Sequence, residues 1–162
     1  ETRLRKLHEG AVDATLLALA GLKRLGRADA ATAILEADEM LPAVAQGAVG
    51  VTCRAIDARA RALLAALDHA PSQIEITAER ALLATLDGSC RTPIAALARA
   101  DGTRLTLKGL IAKPDGSRVV RGAREGNVAG AREGTTTDAE ALGRALGQAL
   151  RAEAGPNFLP GF

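Results

Sequence analysis

The sequence contains no tryptophan and no tyrosine, and its only aromatic residues are Phe158 and Phe162. The core of this 162-residue chain must therefore be built from aliphatic side chains. A folded chain of this length buries roughly 70% of the surface that its unfolded form exposes. The length is thus sufficient for one domain, or for one domain and part of another.

Strong net charge and clustered cysteine are also lacking. The 21 basic and 19 acidic residues leave a formal charge of +2, which does not support the positive patch of a nucleic-acid-binding protein. Two cysteines, Cys53 and Cys90, are too few for a disulfide framework. No apolar run approaches the ~18 residues of a membrane span, and the amino end lacks the signal-peptide pattern. These absences predict a reduced, cytoplasmic protein without nucleic-acid or membrane partners.

Hydrophobic periodicity is clearest in the second half of the chain. Ser72 and Glu75 have the capping-box spacing for a helix over residues 73–86. Three apolar strand candidates follow, separated by the turn sequences Asp101-Gly102 and Pro114-Asp115-Gly116. The strands are expected at residues 94–100, 104–112 and 118–124, and a last helix at 137–152. This order predicts a three-stranded antiparallel sheet with helices on one face.

The first half carries weaker patterns. Residues 11–20 form an apolar run that suits a buried strand followed by a helix start, and residues 48–53 suit a second buried strand. Residues 54–67 have the spacing of an amphipathic helix. Gln46, just before the second strand, could donate to a ligand or satisfy neighbouring backbone groups.

Cys90 lies between the predicted helix and the first strand of the sheet. The Gly88-Ser89 pair is expected to end the helix, and Pro93 restricts Thr92 to an extended conformation. The thiol would then be displayed at a fixed corner, where it could serve as a covalent attachment point. A small buried hydrophobic residue is the other interpretation. Local sequence leaves both open.

Six short motifs are linked by their order and spacing along the chain. They are Arg3-Leu4-x-Lys6-Leu7, Asp13-Ala14, Ala20-Gly21-Leu22-Lys23-Arg24-Leu25-Gly26, Leu41-Pro42-Ala43-Val44-x-Gln46-Gly47-Ala48-Val49-Gly50, Glu79-Arg80 and Gly88-x-Cys90-x-x-Pro93-Ile94. Together they resemble the porphobilinogen deaminase family, also called hydroxymethylbilane synthase, over essentially the whole chain. The chain looks like the carboxy-terminal half of that enzyme.

The resemblance implies an α/β fold with an α+β carboxy-terminal domain. Residues 1–41 would form the end of the second domain, which is similar to the periplasmic-binding-protein fold. Residues 42–69 would be a crossover segment that returns to the first domain. Residues 70–162 would be the third domain, which carries the cofactor cysteine.

The resemblance also implies a function. Family members are transferases of porphyrin, tetrapyrrole and heme biosynthesis, which condense four porphobilinogen molecules into hydroxymethylbilane and release ammonia. They build the product on a dipyrromethane cofactor held by a thioether, and Cys90 matches the cysteine of that bond. Arg3 and Arg24 match arginines that bind cofactor and substrate carboxylates, and Gln46 matches a residue lining the same cleft. No metal is expected, and the full enzyme is expected to be a monomer.

The family's catalytic aspartate lies in its amino-terminal half. We therefore assign no catalytic residue in this chain, and expect it to be inactive without that half as a partner. Three positions depart from the family pattern: Ser89 and Ala45 stand where glycine is common, and His8 replaces a common aspartate. These departures concern local backbone geometry.

Two other classes of protein stay open. A non-catalytic solute-binding module of a two-lobed binding protein would need no thiol. An enzyme with a cysteine nucleophile would need a base beside Cys90, and no sequence context places His8 or His69 there.

Overall fold

The computed structural model describes residues 2–89, 91–128, 136–156 and 158. Two compact units divide the chain, Glu1–Glu36 and Ala37–Phe162. The helices are α1 (Thr2–His8), α2 (Leu19–Arg24), α3 (Ala58–Ala65), α4 (Ala70–Thr85) and α5 (Thr136–Ala154). The strands are β1 (Ile94–Asp101), β2 (Arg104–Ala112) and β3 (Val119–Asn127).

The first unit consists of α1, α2 and a short 3₁₀ turn at Ala28–Ala30. Leu22 on the inner side of α2 is its buried side chain. Gly26 ends α2 in the left-handed region with φ of 65°, as expected for a glycine after a helix. The strand predicted within residues 11–20 is wrong: residues 11–18 have no regular structure, because no strand among the described residues of this unit pairs with them.

The sheet has the order β1-β2-β3, and both strand pairs are antiparallel. Asp101 pairs with Arg104 across the first turn, where Gly102 adopts a φ of 58°. Gly116 adopts a φ of 72° in the second turn. These positions require a left-handed backbone, which glycine adopts without steric cost. The predicted three-stranded antiparallel sheet is confirmed.

Both long helices pack on the same face of this sheet. A Cβ added at Gly109 in the middle strand would lie 2.7 Å from Leu82 of α4 and 3.3 Å from Leu146 and Leu150 of α5. The core is aliphatic, as the composition requires, except for the buried Phe158. Its largest fully buried side chains are Leu82, Leu105, Leu107, Ile111, Val128, Leu146 and Leu150.

Helices α4 and α5 approach each other closely at Gly143. A Cβ added there would lie 2.2 Å from the carbonyl oxygen of Ala78 and 2.8 Å from the Cβ of Ala81. The missing side chain therefore sets the separation of the two helices. Among the helices in the described part of the chain, none has the length and apolarity needed to cross a bilayer.

Helix α4 begins earlier than its capping-box pattern predicts. Its first residue is Ala70, and the ring of His69 accepts a hydrogen bond from the backbone N–H of Ser72 at 3.4 Å. Pro71 lies in the first turn, where its missing N–H costs no helical hydrogen bond. His69 is thus a helix cap, and Glu75 is free to extend toward the sheet.

Residues 46–69 contain less regular structure than expected. The predicted helix over 54–67 is reduced to α3, whose amino end is capped by Asp57 through the N–H of Ala60 at 2.9 Å. The buried strand predicted at residues 48–53 is wrong: these residues are exposed, and no described residue pairs with them. A strand needs partners for its backbone polar groups, so an apolar run alone does not form one.

Candidate functional site

The segment before Cys90 is fixed by the end of α4. Asp87 adopts a φ of 54°, and the N–H of Gly88 donates to the carbonyl of Leu83 at 3.0 Å. This pattern is a Schellman motif with aspartate, a residue that tolerates the left-handed region, in the position usual for glycine. The prediction that the Gly88-Ser89 pair ends the helix is therefore wrong by one residue.

Gly88 is needed for a different reason. A Cβ at this position would lie 2.5 Å from the side-chain methyl groups of both Leu83 and Ile94. The backbone of Gly88 thus passes directly over the last turn of α4 and the first residue of β1. This contact sets where the chain approaches Cys90.

Hydrogen bonds also join the residues on either side of Cys90. The N–H of Ser89 donates to the Thr92 hydroxyl at 2.9 Å, and the N–H of Thr92 donates to the Ser89 carbonyl at 3.1 Å. Thr92 is buried, whereas Ser89 and Arg91 are exposed. Cys90 itself lies outside the described residues. Its sequence neighbours form a short, well-bonded corner between α4 and β1.

A cavity of about 550 Å³ lies within the first unit. Its wall combines two arginines, Arg3 and Arg27, with apolar residues of α1, α2 and the segment between them. The lining residues are Thr2, Arg3, Leu4, Leu17, Ala18, Gly21, Leu22, Leu25 and Arg27. Arg3 donates one hydrogen bond to the Leu16 carbonyl at 3.2 Å, and its guanidinium group has further N–H donors that can bind an anion. The cavity can therefore receive an anion that also has an apolar surface.

Arg24 lies in the last turn of α2 and is exposed. Its side chain has no hydrogen bond or ion pair to any residue in the described ranges, and it is not part of the cavity wall. A cation in the last turn of a helix is favoured by the helix dipole. Of the two predicted binding arginines, Arg3 lines the cavity, whereas Arg24 lies exposed in α2 of the same unit and outside the cavity wall.

Gln46 lies in the second unit, in a turn with an unusual backbone. Ala45 before it has a φ of 57°, and Gly47 after it has a φ of 86°. The left-handed conformation costs an L-residue such as alanine roughly 1–2 kcal/mol. Gln46 is exposed, and its N–H donates to the Ala43 carbonyl at 3.0 Å. The amide side chain is thus presented on a strained turn.

A buried carboxylate stabilises this turn. Glu79 of α4 is only 5% exposed, and its Oε2 accepts from the N–H of Ala45 at 2.7 Å while its Oε1 accepts from the N–H of Ala98 at 2.8 Å. Burial raises the pKa of Glu79 above its ordinary value of 4.5, and the nearby charge of Glu75 raises it further. The two backbone hydrogen bonds and the charge of Arg99 oppose this increase in pKa.

Two of these residues were missed by the functional interpretation of the sequence. Arg27 follows the helix-ending glycine in an alanine-rich stretch, and no local pattern marks it as part of a cavity wall. Glu79 was noted only as part of a family motif, although a charged residue at an apolar position of a helix is itself a signal. In the described part of the chain, no group of three or more histidine, cysteine, aspartate or glutamate residues is arranged to hold a metal ion.

Comparison with known proteins identifies the family. The family model described as "Porphobilinogen deaminase, dipyromethane cofactor binding domain" matches residues 1–62, and the model described as "Porphobilinogen deaminase, C-terminal domain" matches residues 73–152. The chain belongs to the porphobilinogen deaminase family. The resemblance seen in the sequence motifs is confirmed. Arg3, Arg24 and Gln46 fall within the first matched region, and Cys90 falls within the second.

Curated relatives support the same conclusion. The chain is 50% identical over 159 residues to the chloroplastic porphobilinogen deaminase of Pisum sativum, a match covering 98% of this chain and 42% of the relative. It is 51% identical over 158 residues to the porphobilinogen deaminase of Paracoccus denitrificans, covering 98% of this chain and 48% of the relative. The chain thus spans about half the length of the curated relatives that it matches.

Proposed function

We propose that this chain forms part of a hydroxymethylbilane synthase, a transferase that condenses four porphobilinogen molecules into hydroxymethylbilane and releases ammonia. One observation carries the proposal: two family models of porphobilinogen deaminase match the chain in sequence order, at residues 1–62 and 73–152. Each joining step forms a bond to the aminomethyl carbon, breaks its bond to nitrogen, and transfers a proton to the departing ammonia.

The donor groups of the first unit fit a carboxylated pyrrole. Porphobilinogen and a dipyrromethane carry acetate and propionate groups on apolar rings. Guanidinium groups bind carboxylates through paired hydrogen bonds and stay charged at every physiological pH. The cavity wall combines Arg3 and Arg27 with leucine side chains, which supports binding of such a molecule. In the proposal, Arg3 and Arg24 bind the carboxylates, and Gln46 donates a hydrogen bond from its turn.

Cys90 is the proposed anchor of the dipyrromethane cofactor. A thiolate is a soft nucleophile that can form a thioether with the aminomethyl carbon of a porphobilinogen unit, which breaks the bond of that carbon to nitrogen and releases ammonia. The cofactor, when bound, supplies the pyrrole carbon to which the substrate units are joined. Cys90 would therefore remain alkylated throughout turnover. The hydrogen bonds between Ser89 and Thr92 support this role, because they fix the chain on both sides of the cysteine.

We further propose that residues 1–41 complete a domain similar to the periplasmic-binding-protein fold, that 42–69 cross to another domain, and that 70–162 form the third domain. Large apolar side chains exposed between residues 49 and 67 support the crossover, because a neighbouring domain would cover them. They are Val49, Val51, Ile56, Leu63 and Leu67. The catalytic aspartate and further substrate contacts would come from the part of the enzyme that the relatives possess beyond the matched region.

The proposal includes a cytoplasmic location and a monomeric enzyme. The low cysteine content supports a reducing compartment. The alternative of a non-catalytic solute-binding module is disfavoured, since both matched family models are described as porphobilinogen deaminase.

Mass spectrometry tests the proposal. The chain is produced together with the part of the Paracoccus denitrificans relative that it does not cover, and the intact mass is measured. We expect an increment of two porphobilinogen units less two ammonia molecules, which is lost in Cys90→Ser. The matched control is Cys53→Ser, because Cys53 is an exposed free cysteine and its replacement should leave the increment unchanged. An unmodified mass in an active preparation would contradict the proposal.

A further inference from the structure

The turn that carries Gln46 is held by local hydrogen bonds, by Val44 packed against the core, and by one distant side chain. Within the turn, the N–H of Gln46 donates to Ala43 and the N–H of Ala48 donates to Ala45, at 3.0 and 3.2 Å. These local bonds do not remove the steric conflict of alanine in the left-handed region at residue 45. The N–H of Ala45 itself points at Glu79, which lies 34 residues further along the chain.

The same carboxylate is bonded to the sheet. Its second oxygen accepts from the N–H of Ala98 in β1, the strand that begins directly after the corner around Cys90. An isolated bridge between Ala43 and Ala95 lies beside this contact. Glu79 therefore links the turn bearing Gln46 to the strand leading from the cofactor cysteine.

We propose that Glu79 is a positioning residue, which holds Ala45 in its left-handed conformation and thereby fixes Gln46 relative to β1. The inference rests on the proposed function of Gln46 and extends it to a residue that does not touch substrate. Glu79 acts through two backbone N–H groups, so its whole effect depends on a side chain able to accept from both. Glutamine can accept from only one, because its amide nitrogen would face the other N–H.

Glu75 provides a matched control on the same helix. It lies one turn before Glu79 and accepts from the N–H of Ala100 at 3.0 Å. It makes no hydrogen bond to residues 43–48. Because a glutamine oxygen can accept one such bond, Glu75→Gln should preserve its contact with β1.

Amide hydrogen exchange on the full chain tests the inference. In Glu79→Gln, we expect protection of the Gln46 and Ala48 amides to fall about tenfold or more, the order expected on loss of a charge-assisted hydrogen bond. Glu75→Gln should leave both amides unchanged. Equal behaviour of the two variants would overturn the inference.

A rescue variant separates positioning of the turn from simple capping of the strand. Glycine adopts the left-handed region without strain, so Ala45→Gly in the Glu79→Gln background should restore protection of Gln46 to within about threefold of the wild type. If Glu79 only capped β1, the double variant would behave like Glu79→Gln. That result would overturn the inference.

If Glu79→Gln does not fold, a pH titration of the unaltered chain tests whether the Glu79 carboxylate accepts from both Ala45 and Ala98. The backbone amide signals of Ala45 and Ala98 should shift with one common midpoint, because a single carboxylate accepts from both. The charged groups that face Glu79 are Glu75 on its own helix and Arg99 on β1. Two different midpoints, or no titration at Ala45, would overturn the inference.

Failure of this inference can be told apart from failure of the proposed function. In the assembled enzyme used for mass spectrometry, Glu79→Gln should lower kcat/KM for porphobilinogen by about tenfold to a hundredfold, since small misplacements of a binding group have effects of this size. Absence of the mass increment from every variant would contradict the proposed function alone, since the exchange measurements do not depend on it. A normal increment with equal exchange in Glu79→Gln and Glu75→Gln would contradict the inference alone.

Discussion

Residues 2–69 are richer in apolar residues than residues 70–158, yet their side chains are far less buried. Leu22 is the one buried side chain in residues 2–69, all of which the structure describes, whereas the aliphatic core lies almost wholly beyond residue 69. Ile56 and Val49 are 92% and 91% exposed, while Leu82 and Leu105 are fully buried. An apolar sequence is thus insufficient for burial unless the chain also supplies a facing surface, as β1, β2, β3, α4 and α5 do for one another.

Truncation of a leucine in each region should give the largest contrast. We expect Leu82→Ala to reduce the free energy of unfolding by about 2–5 kcal/mol, because it leaves a cavity between α4 and the sheet. Leu63→Ala removes a side chain that is 67% exposed, and should change stability by less than about 0.5 kcal/mol. Urea denaturation followed by circular dichroism measures both. Similar losses in the two variants would show that residues 58–65 are packed in solution.

Replacing a glycine with alanine should change the free energy of unfolding in opposite directions in the two regions. In Gly143→Ala the new Cβ would meet the carbonyl of Ala78, so the helices must separate, at a cost of about 1–3 kcal/mol. In Gly21→Ala nothing lies within 4 Å of the new Cβ, and alanine should favour α2 by roughly 0.5–1 kcal/mol. Thermal unfolding of each variant checks the signs. A stabilising Gly143→Ala would contradict the close approach of α4 and α5.

Burial of Glu79 should make stability depend on pH. Its pKa is raised in the folded chain, so ionisation is harder there than in the unfolded chain. The contribution of Glu79 to the free energy of unfolding is fully present below about pH 4.5. It falls as the pH rises through the pKa of Glu79 in the folded chain. The stability of the wild type relative to Glu79→Gln should therefore decrease from pH 4.5 toward neutrality in denaturation experiments. An increase would mean that the hydrogen bonds outweigh desolvation.

The exposed carboxylate of Asp115, in the turn between β2 and β3, should give stability a weak pH dependence of the opposite sign. The N–H and hydroxyl of Ser117 donate to Asp115 and lower its pKa below the ordinary value of 3.8. Its contribution is present above that value and is lost as the pH falls through the folded pKa. Relative to Asp115→Asn, the wild type should lose a little stability on acidification below about pH 4. A flat difference would show that the turn bonds do not persist in solution.

The sheet could be predicted because its signals are local. Turn sequences with glycine at Gly102 and Gly116 fix where the strands reverse, and alternation in β2 fixes which side chains face inward. The start of α4 was missed because the histidine ring of His69 replaces a more usual capping side chain. The end of α4 was misplaced by one residue because Asp87, rather than a glycine, adopts the left-handed conformation.

The candidate site was less accessible to sequence reasoning. Arg3, Arg24, Gln46 and Cys90 were recognised through family motifs, and their roles stay predictions. The bonds of Glu79 to Ala45 and Ala98 join positions 34 and 19 residues apart, so no local pattern could reveal them. Ala45 departs from the glycine common in the family, and the structure shows that this alanine has the backbone conformation that glycine would adopt more easily.

The two carboxylates of α4 also determine how the sheet can associate with other chains. Four residues of helix rise about 6 Å and two residues of strand about 6.6 Å, so Glu75 and Glu79 are spaced to reach successive outward N–H groups of β1. With Ala96 bonded to the carbonyl of Pro42, the N–H groups of residues 96, 98 and 100 all have acceptors within the chain. An incoming strand would have to displace two acidic side chains from this edge. Strand addition and cross-β growth are therefore directed away from β1, toward β3, whose outer edge pairs with no other strand in the described part of the chain.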